Sequence, residues 1–478
     1  MKTLNDLLKY GARGNFFIET KMRTVHIKEF DLKVKRIALF LSEKVTYQSR
    51  ILLYIEDKIE NLVFFFAAIR AGAIPIIISQ EISEYNLTTI LNDSTPEFVI
   101  YDNYVKSFDN YDCISSKQIN HEPYNDNYPS KEVTGDIATI IYTSGSTGSP
   151  KGIVCKHKQI IFCIKQILEI LKFENTDKIG TFLPLSFDYG LYQFLFALYK
   201  RIPIYIGDKS EIGLNFLDFL KESNITIFPS MPSLTKVLIR LAEKKNEKST
   251  FIRVLTSTGE HFNTELINKF KSISPETNIF PMYGLTECKR VSILKSSELE
   301  TKIGSVGRPL KGTECFVQNS RGEIKSTGKG ILLIKGPNVM EGYWGNENDN
   351  KVFFEYNYEK YVKTEDVFFI DRDNYLYFCG RIGDLYKKNG YRIYGNEIEN
   401  ACFLIGGVEE CALVILNNSQ ENDVILFVKS EKDVKQIREE LKKYIESYKI
   451  PKEIKKVDVF PLTPNGKIDK KMLGSDNY

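Results

Sequence analysis

Several features that would assign a compartment or a macromolecular partner are missing from this sequence. The eight cysteines include no C-x-x-C pair and no zinc-type spacing, so we expect free thiols in a reducing cytoplasm. Lys and Arg number 65 against 62 Asp and Glu, a formal net charge of +3. This balance leaves no global field to attract nucleic acid, and we expect no nucleic-acid partner.

Long apolar runs are also absent. The most apolar stretch, residues 62–79, is interrupted by Arg70, Gly72 and Pro75, whereas a bilayer span needs about 20 uninterrupted apolar residues. The stretch predicts a buried helix, a glycine turn and a strand instead. The N-terminal residues MKTLNDLLKYGARGN have neither a continuous apolar core nor a cleavage site, so they predict no secretion signal. We therefore expect a cytoplasmic protein with no membrane span.

The length and the order of apolar segments indicate the architecture. A chain of 478 residues is too long for one core, so two or three domains are expected. Between residues 37 and 257, short apolar runs alternate with longer periodic stretches, which predicts parallel sheets covered by helices. Glycine-punctuated β runs after residue 302 predict a β-rich subdomain, and the last segment predicts a small α+β unit. The polar residues 103–131 show little pattern and predict a mobile surface insertion.

The tract YTSGSTGSPKG at residues 142–152 follows the strand-like run DIATII. A strand that opens into Gly, Ser and Thr presents backbone N–H groups and hydroxyls to a polyphosphate, and Lys151 adds a point charge. The spacing is not that of a P-loop, because Pro150 replaces the second glycine and Gly152 the magnesium-binding Ser or Thr. This disfavours a P-loop phosphotransferase. A flexible linker is the alternative for a lone tract of this composition.

Four further strings follow the tract in order: YGLTE at 283–287, KTED at 363–366, GRIGDLYKKNGYRI at 380–393 and PNGK at 464–467. Together with the tract they resemble the signatures of the adenylate-forming superfamily, which includes acyl-CoA synthetases, luciferases and the adenylation domains of nonribosomal peptide synthetases. The resemblance implies the adenylate-forming enzyme fold, an α/β architecture of several subdomains. An N-terminal AMP-binding domain would occupy residues 1–382, and a small, mobile α+β C-terminal domain residues 383–478.

The resemblance also implies a two-step reaction. ATP would activate a small carboxylic or amino acid to an acyl-adenylate, and the acyl group would then pass to a phosphopantetheine thiol. Magnesium would be bound by Glu287 and Thr143, since a hard cation prefers oxygen ligands, and Thr286 would contact phosphate. The residues expected to hold the pyrophosphate are Thr143, Ser144, Gly145, Ser146, Thr147, Gly148 and Lys151.

The nucleoside and the catalytic lysine are assigned by the same resemblance. Tyr283 would offer an aromatic face to adenine, and Asp366 would accept hydrogen bonds from both ribose hydroxyls. Lys467 would stabilise the charge that develops between the carboxylate and the α-phosphate. The family has TGD where residues 364–366 read TED, so the glycine of an expected turn is lost; a simple turn residue is the alternative role for Asp366. The other residues expected around the nucleotide are Gly259, Glu260, Gly284 and Arg381.

Two positions are expected to serve the second half-reaction. The hinge between the domains would lie at Gly383 and Asp384, where the family usually has an acidic residue at the first position. Gly390 matches the position that lines the pantetheine tunnel, where the absence of a Cβ lets the arm pass.

The acyl pocket is expected around the pair Phe187-Asp188, which resembles amino-acid-activating members; many fatty- and aryl-CoA ligases have histidine at the first position. A buried carboxylate needs a partner, so Asp188 would pair either with a cationic substrate group or with Arg290. In the first case Arg290 is available to bind a second carboxylate or polar oxygen of the substrate. The other expected pocket residues are Tyr192, Thr256, Thr258, Met282 and Val291.

Two questions have alternative answers: which thiol accepts the acyl group, and which class of protein this chain belongs to. The acceptor thiol belongs to CoA or to a carrier protein; only residues 468–478 follow Lys467, so we expect any carrier to be a separate chain. Lysine pairs late in the chain either attract such an acceptor or cover solvated helix faces. An acyl-CoA ligase for a non-amino acid is the alternative within the superfamily. A non-catalytic nucleotide-binding scaffold is the alternative outside enzymes.

Overall fold

The computed structural model describes residues 1–121, 136–144, 150–246, 251–260, 262–345, 352–382, 385–388, 391–416, 423–447, 449–463 and 467–475. The helices within these residues are α1 (Leu4–Gly11), α2 (Ile27–Lys44), α3 (Lys58–Ala71), α4 (Glu84–Ser94), α5 (Ser116–His121), α6 (His157–Leu171), α7 (Asp188–Lys200), α8 (Phe216–Glu222), α9 (Pro232–Lys245), α10 (Thr264–Ile273), α11 (Gly395–Phe403), α12 (Val434–Leu441) and α13 (Lys470–Leu473).

The strands are likewise numbered along the chain. Those before residue 300 are β1 (Phe17–Glu19), β2 (Thr24–His26), β3 (Arg50–Tyr54), β4 (Ile74–Ile77), β5 (Phe98–Tyr101), β6 (Cys113–Ser115), β7 (Ile137–Ser144), β8 (Pro150–Lys156), β9 (Ile179–Thr181), β10 (Ile204–Ile206), β11 (Ile227–Ser230), β12 (Val254–Ser257), β13 (Asn278–Tyr283) and β14 (Ser292–Ile293). Those after it are β15 (Arg308–Pro309), β16 (Glu314–Gln318), β17 (Ile324–Lys325), β18 (Gly328–Lys335), β19 (Phe353–Tyr356), β20 (Glu359–Ile370), β21 (Leu376–Arg381), β22 (Leu385–Lys388), β23 (Tyr391–Tyr394), β24 (Val408–Leu416), β25 (Asp423–Ser430) and β26 (Glu453–Lys456).

Two sheets with parallel strands form the N-terminal part. The first has four parallel strands in the order β4-β3-β5-β6. The second has the order β15-β14-β13-β12-β11-β9-β10-β1-β2, with parallel strands in its centre and antiparallel strands at both ends. One apolar core connects the two sheets through α2, α3, α6 and α7. Because the parallel strands are covered by helices, they consist of nearly continuous apolar residues.

Helix α3 explains the most apolar stretch of the sequence. Every residue from Ile59 to Ile69 is buried, as expected for a helix that is apolar on all sides. Gly72 ends the helix in the left-handed region at φ +91°, and β4 follows two residues later. The predicted helix, glycine turn and strand are therefore confirmed. In the part of the chain that the structure describes, no helix is both long and apolar enough to span a bilayer.

A sheet of six mostly antiparallel strands, β17-β16-β18-β20-β19 with β21 beside β20, forms the predicted β-rich subdomain. The following α+β unit contains β24, β25 and β26, with α11 and α12 packed on one face through their own apolar core. The predicted fold class is thus confirmed, while the boundary at residue 382 stays a prediction. The eight cysteines all lie within the described ranges as thiols, and six of them are buried.

The predicted surface insertion at 103–131 is wrong for its first part. Strand β6 joins the parallel sheet beside β5, and the Phe108 side chain is fully buried against Tyr54 and Tyr101. A three-residue edge strand among Asn, Asp and Tyr residues has too little apolar periodicity to be found from the sequence. Residues 122–131 of this prediction lie outside the described residues.

Candidate active site

The Ser/Thr/Gly tract begins on a β-hairpin. Strand β7 pairs with β8 in antiparallel register, which places Thr143 opposite Lys151 and Tyr142 opposite Gly152. A side chain at Gly152 would collide with the Tyr142 ring, because a Cβ there would lie 2.8 Å from Tyr142 Cζ. Of Ser144 only the backbone is described, and Gly145, Ser146, Thr147 and Gly148 lie outside the described residues.

Tyr343 connects this hairpin to the YGLTE segment. Lys151 Nζ lies over the Tyr343 ring, 5.3 Å from its centroid. The Tyr343 hydroxyl donates a hydrogen bond of 2.9 Å to Glu287 Oε1. The expected phosphate-binding lysine and the expected magnesium ligand are therefore held by one aromatic side chain. Sequence reasoning missed Tyr343, because a single tyrosine in EGYW carries no chemical signal of its own.

The YGLTE segment leaves the end of β13 and turns sharply. Gly284 is required there, because a Cβ at this position would lie 2.3 Å from the Lys289 carbonyl oxygen. Lys289 itself has φ +58°, a left-handed conformation that is uncommon for a residue with a side chain. Thr286 is buried in the turn, and the Glu287 carbonyl oxygen accepts a hydrogen bond of 2.7 Å from Met340 N–H.

Asp366 lies within β20 and joins the Tyr283 and Arg381 side chains. Its Oδ2 accepts a hydrogen bond of 2.6 Å from the Tyr283 hydroxyl, and its Oδ1 accepts one of 2.7 Å from Arg381 Nε. The expected turn at TED is wrong. The pairing of β18 with β20 shifts register at this point, so TED forms a bulge within strand β20. A bulge changes the direction of a side chain, here Asp366, without a glycine turn.

Lys467 lies next to Gly259 and Glu260, although it comes from the C-terminal unit. A Cβ built on Gly259, which has φ +90°, would lie 3.9 Å from Lys467 Cε. Burial lowers the pKa of Lys467, and the Glu260 carboxylate is the first of the groups that oppose this. Burial raises the pKa of Glu260, and the positive charges of Lys467 and then Lys236 oppose this rise. The carboxylates of Asp188 and Asp366 also raise the pKa of Lys467. The ammonium is therefore within electrostatic reach of Asp188 in the expected acyl pocket and of Asp366 in the expected nucleoside site.

A cavity lies between α6, α7 and the segment that carries Met282, Lys289 and Arg290. Five of the expected pocket residues line it: Asp188, Tyr192, Thr256, Met282 and Arg290. Sequence reasoning missed six others, of which Phe196 was recoverable, because it follows Asp188 and Tyr192 at intervals of four along one face of α7. The missed residues are Ile167, Leu171, Tyr189, Gln193, Phe196 and Lys289.

Asp188 and Arg290 are close but do not form an ion pair. The Asp188 carboxylate accepts a hydrogen bond of 2.7 Å from its neighbour Tyr189 N–H. The Arg290 guanidinium donates to Thr258 Oγ1 and lies 5.3 Å from the centroid of the Tyr189 ring. Burial raises the pKa of Asp188, and Arg290 is the first group that opposes it. Asp188 therefore retains lone pairs for a cationic group.

The remaining candidates lie elsewhere. Thr258 contacts Arg290 but does not line the cavity. Phe187 packs with Leu183, Tyr189 and Met231, and Val291 is buried in the core of the β-rich subdomain. The hinge candidates Gly383 and Asp384, and the tunnel candidate Gly390, lie outside the described residues.

Known proteins resemble this chain in sequence. The family described as AMP-binding enzyme matches residues 15–344, and the AMP-binding enzyme C-terminal domain matches residues 397–467. The chain is 27% identical to Gramicidin S synthase 2 of Aneurinibacillus migulanus over 93% of its own length and 10% of that protein. It is 28% identical to Zwittermicin A synthase ZmaJ of Bacillus cereus over 96% of its own length and 92% of that protein. It thus spans a tenth of the first relative and nearly all of the second.

A solved structure shares the fold. O-succinylbenzoate coenzyme A synthetase (MenE) from Bacillus subtilis, in complex with ATP and magnesium ion, superposes with a TM-score of 0.87. The superposition covers 98% of this chain and 99% of that one, at 21% sequence identity.

Proposed function

We propose a function for this chain from the fact that it belongs to the AMP-binding enzyme family and is an AMP-forming ligase. It activates a small carboxylic or amino acid with ATP. The acyl-adenylate then passes its acyl group to a phosphopantetheine thiol of a carrier protein or of CoA. The observation that carries this proposal is the position of Lys467, which stands beside Gly259 and within electrostatic reach of Asp188 and Asp366.

The described residues fit a nucleotide. Each Asp366 oxygen accepts one hydrogen bond from the protein, and a carboxylate oxygen offers two lone pairs, so both oxygens can also accept from a ribose. The absence of a side chain at Gly259 leaves its backbone close to Lys467. Thr143 and Lys151 stand opposite each other where the hydroxyl-rich tract begins. We assign the triphosphate to that tract.

Glu287 is the residue that would hold magnesium, with Thr143 as the second protein oxygen. Among the described residues there is no group of three or more His, Cys, Asp or Glu side chains that could hold a metal ion. A single carboxylate suits Mg²⁺, which takes most of its ligands from water and substrate phosphates. When bound, the ion neutralises phosphate charge.

The chemistry assigned to Lys467 is electrostatic. The substrate carboxylate attacks the α-phosphorus, the bond to the pyrophosphate oxygen breaks, and negative charge moves onto the departing group. The largely desolvated ammonium stabilises this charge in the transition state, where few water molecules screen it. In the second step the thiol sulfur attacks the acyl carbonyl carbon, the bond to AMP breaks, and the thiol proton is lost to solvent. The products are a thioester and AMP.

The substrate is proposed to carry an amino group. Asp188 is 6% exposed and forms no ion pair within the described parts of the chain, although Arg290 and then Lys289 act on it from further away. A buried carboxylate of this kind favours a cationic ligand. A non-amino carboxylic acid is the second candidate, since Arg290 lowers the Asp188 pKa and can partly neutralise it at a distance.

The test is ATP–pyrophosphate exchange across a panel of acids with the Lys467→Ala variant. We expect the variant to lose exchange by about 100-fold or more while it still binds ATP in calorimetry. Lys471→Ala is the matched control, because Lys471 is exposed on the adjacent helix α13. Full activity of Lys467→Ala would remove the role of this lysine. Absence of exchange with every acid in the wild-type protein would favour the nucleotide-binding scaffold.

A further inference from the structure

Lys289 is a buried cation on the wall of the acyl cavity. It is 3% exposed, and the oxygens to which its ammonium donates are neutral, Gln159 Oε1 at 3.3 Å and Asn338 O at 3.4 Å. No carboxylate lies within ion-pairing distance of it in the described ranges. Both hydrogen bonds are long, and an ammonium taken out of water without an anion is destabilised. The Lys289 ammonium therefore has no carboxylate at hydrogen-bonding distance among the described residues, and Asp188 interacts with it only from further away.

The backbone at Lys289 is strained as well. Its φ of +58° is unfavourable for a residue with a side chain, and such strain persists where the surrounding structure imposes it. The close approach of Gly284 to the Lys289 carbonyl oxygen imposes it here. The turn thus holds a lysine against the cavity in a conformation that glycine or asparagine would adopt more easily.

Tyr192 is a second polar group of the cavity lining. Its hydroxyl is buried, no oxygen or nitrogen of the described residues hydrogen-bonds to it, and the neighbouring Cys163 thiol is only a weak partner. The Cys163 thiol, whose pKa burial raises to about 11, is influenced by both Lys289 and Tyr192. Lys289 and Tyr192 both line the cavity, and both act on this thiol.

The charges of the lining residues are not balanced. Lys289 and Arg290 contribute two positive charges and Asp188 one negative charge, which leaves one positive charge over the cavity. A zwitterionic amino acid with a neutral side chain does not change this sum. An additional carboxylate on the side chain would cancel it, since its oxygens accept from both an ammonium and a hydroxyl.

We propose that the substrate is an α-amino dicarboxylic acid whose distal carboxylate is bound by Lys289 and Tyr192. This inference rests on the proposed function and adds the substrate class. The α-ammonium pairs with Asp188, and the reacting carboxylate faces the Lys467 side. The methylene groups lie on the apolar part of the wall, which is formed by Ile167, Leu171, Phe196 and Met282.

The experiment compares isosteric acids in ATP–pyrophosphate exchange and, without ATP, in calorimetric binding. The panel is L-glutamate, L-glutamine and L-norvaline, with L-aspartate, L-asparagine and L-2-aminobutyrate as the shorter series. We expect a dicarboxylic acid to exceed its neutral isosteres in kcat/KM by about 100-fold or more, because a neutral side chain leaves buried polar groups unpaired.

Two variants locate the effect. Lys289→Met keeps the length of the side chain, and we expect it to abolish the preference by lowering kcat/KM for the dicarboxylic acid only. Tyr192→Phe removes one hydroxyl and should lower the same value by about 10-fold. Lys165→Met is the control, since Lys165 is exposed on α6. If Lys289→Met fails to fold, Tyr192→Phe and the wild-type binding data carry the test.

The outcomes separate the two proposals. Exchange with neutral acids but not with dicarboxylic acids, or an unchanged preference in the variants, would overturn the inference while the proposed function stands. Saturable binding of a dicarboxylic acid without exchange by any acid would support the inference and contradict the proposed function. Absence of both binding and exchange would overturn both.

Discussion

Glu260 is the residue at which the charges of the candidate active site meet. It is partly buried beside Lys467, and the rise in its pKa caused by burial is opposed first by Lys467 and then by Lys236. The interaction is reciprocal, because Glu260 is the first group that raises the pKa of Lys467 against the effect of burial. The charge state of the candidate catalytic lysine therefore depends on a carboxylate from the other unit.

Glu260→Gln should shift the alkaline limit of adenylation. Burial already lowers the Lys467 pKa below its usual value, and removal of the carboxylate lowers it further. The charged ammonium is the active form, so activity falls as pH rises through this pKa, and the fall should begin at a lower pH in the variant. The measurement is the pH profile of kcat/KM for pyrophosphate exchange. Glu243→Gln, on the exposed end of α9, should leave the profile unchanged, and an unmoved limit in Glu260→Gln would contradict the coupling.

Some of these residues can be predicted from the sequence, and others can be recognised only in the structure. Lys467, Asp366 and Glu287 stand in strings long enough to be recognised from the order of the amino acids alone. Lys289 stands in the same segment as Glu287, but a lysine in sequence is most simply a solvated charge. Its burial depends on the turn at Gly284 and on contacts with Gln159 and Asn338, which are far apart in the chain. Only the fold brings these groups together.

At the scale of elements, residues 340–344 join two parts of the candidate site. The Trp344 N–H donates to the Gly152 carbonyl oxygen at 2.7 Å, and the Val154 N–H donates to the Gly342 carbonyl oxygen at 3.0 Å. The Met340 N–H donates to the Glu287 carbonyl oxygen at 2.7 Å. This segment therefore runs along β8 and fixes the distance between the phosphate hairpin and the magnesium candidate.

Tyr343→Phe should weaken the use of magnesium. The variant keeps the aromatic ring under Lys151 but loses the hydrogen bond to Glu287 Oε1, so the carboxylate is less well oriented. We expect the Mg²⁺ concentration for half-maximal exchange to rise about 10-fold, with little change in thermal stability. Calorimetric binding of ATP with and without Mg²⁺ gives a readout independent of activity. Tyr361→Phe, which removes a comparable hydrogen bond to the Glu359 carboxylate, is the control; an equal change in both variants would exclude a specific role.

Elements with strong local signals could be predicted, and those set by distant pairing could not. Helix α3, Gly72 and β4 follow from apolar composition and a positive φ that glycine adopts freely. The bulge at TED results from the register between β18 and β20, which are separated in the chain by β19 and the segments around it. A local pattern therefore predicted a turn where long-range pairing makes a bulge.

At the scale of the whole molecule, ion pairs connect helix α9 to the C-terminal unit. Arg240 Nη2 lies 2.8 Å from Glu409 Oε2, and Lys236 Nζ lies 3.8 Å from Glu410 Oε1. Lys236 also lies over the Phe403 ring, 5.4 Å from its centroid. Lys236 and Glu410 also act electrostatically on Glu260, the neighbour of Lys467. The ion pairs therefore lie near the place where Lys467 contacts the N-terminal part of the chain.

Reversal of one of these charges should reduce adenylation and a second reversal should restore it. Each pair is partly exposed and contributes less than about 1 kcal/mol, so Glu410→Lys should lower kcat/KM for pyrophosphate exchange by a few-fold. The double variant Lys236→Glu/Glu410→Lys re-forms the pair with opposite polarity and should recover most of the loss. Glu431→Lys, a charge reversal elsewhere on the C-terminal unit, serves as the control. Failure of the swap to recover activity would mean that Lys236 acts through Glu260 rather than through Glu410.

The distribution of thiols offers a practical handle on the chain. Six of the eight cysteines are buried, and the two partly accessible ones are Cys113 and Cys379. Cys113 lies on the edge strand β6, and Cys379 lies on β21, two residues before Arg381. Replacement of Cys113 by serine would leave one reactive position for a maleimide fluorophore, whose emission would report on occupancy of the neighbouring nucleoside site without any engineered cysteine.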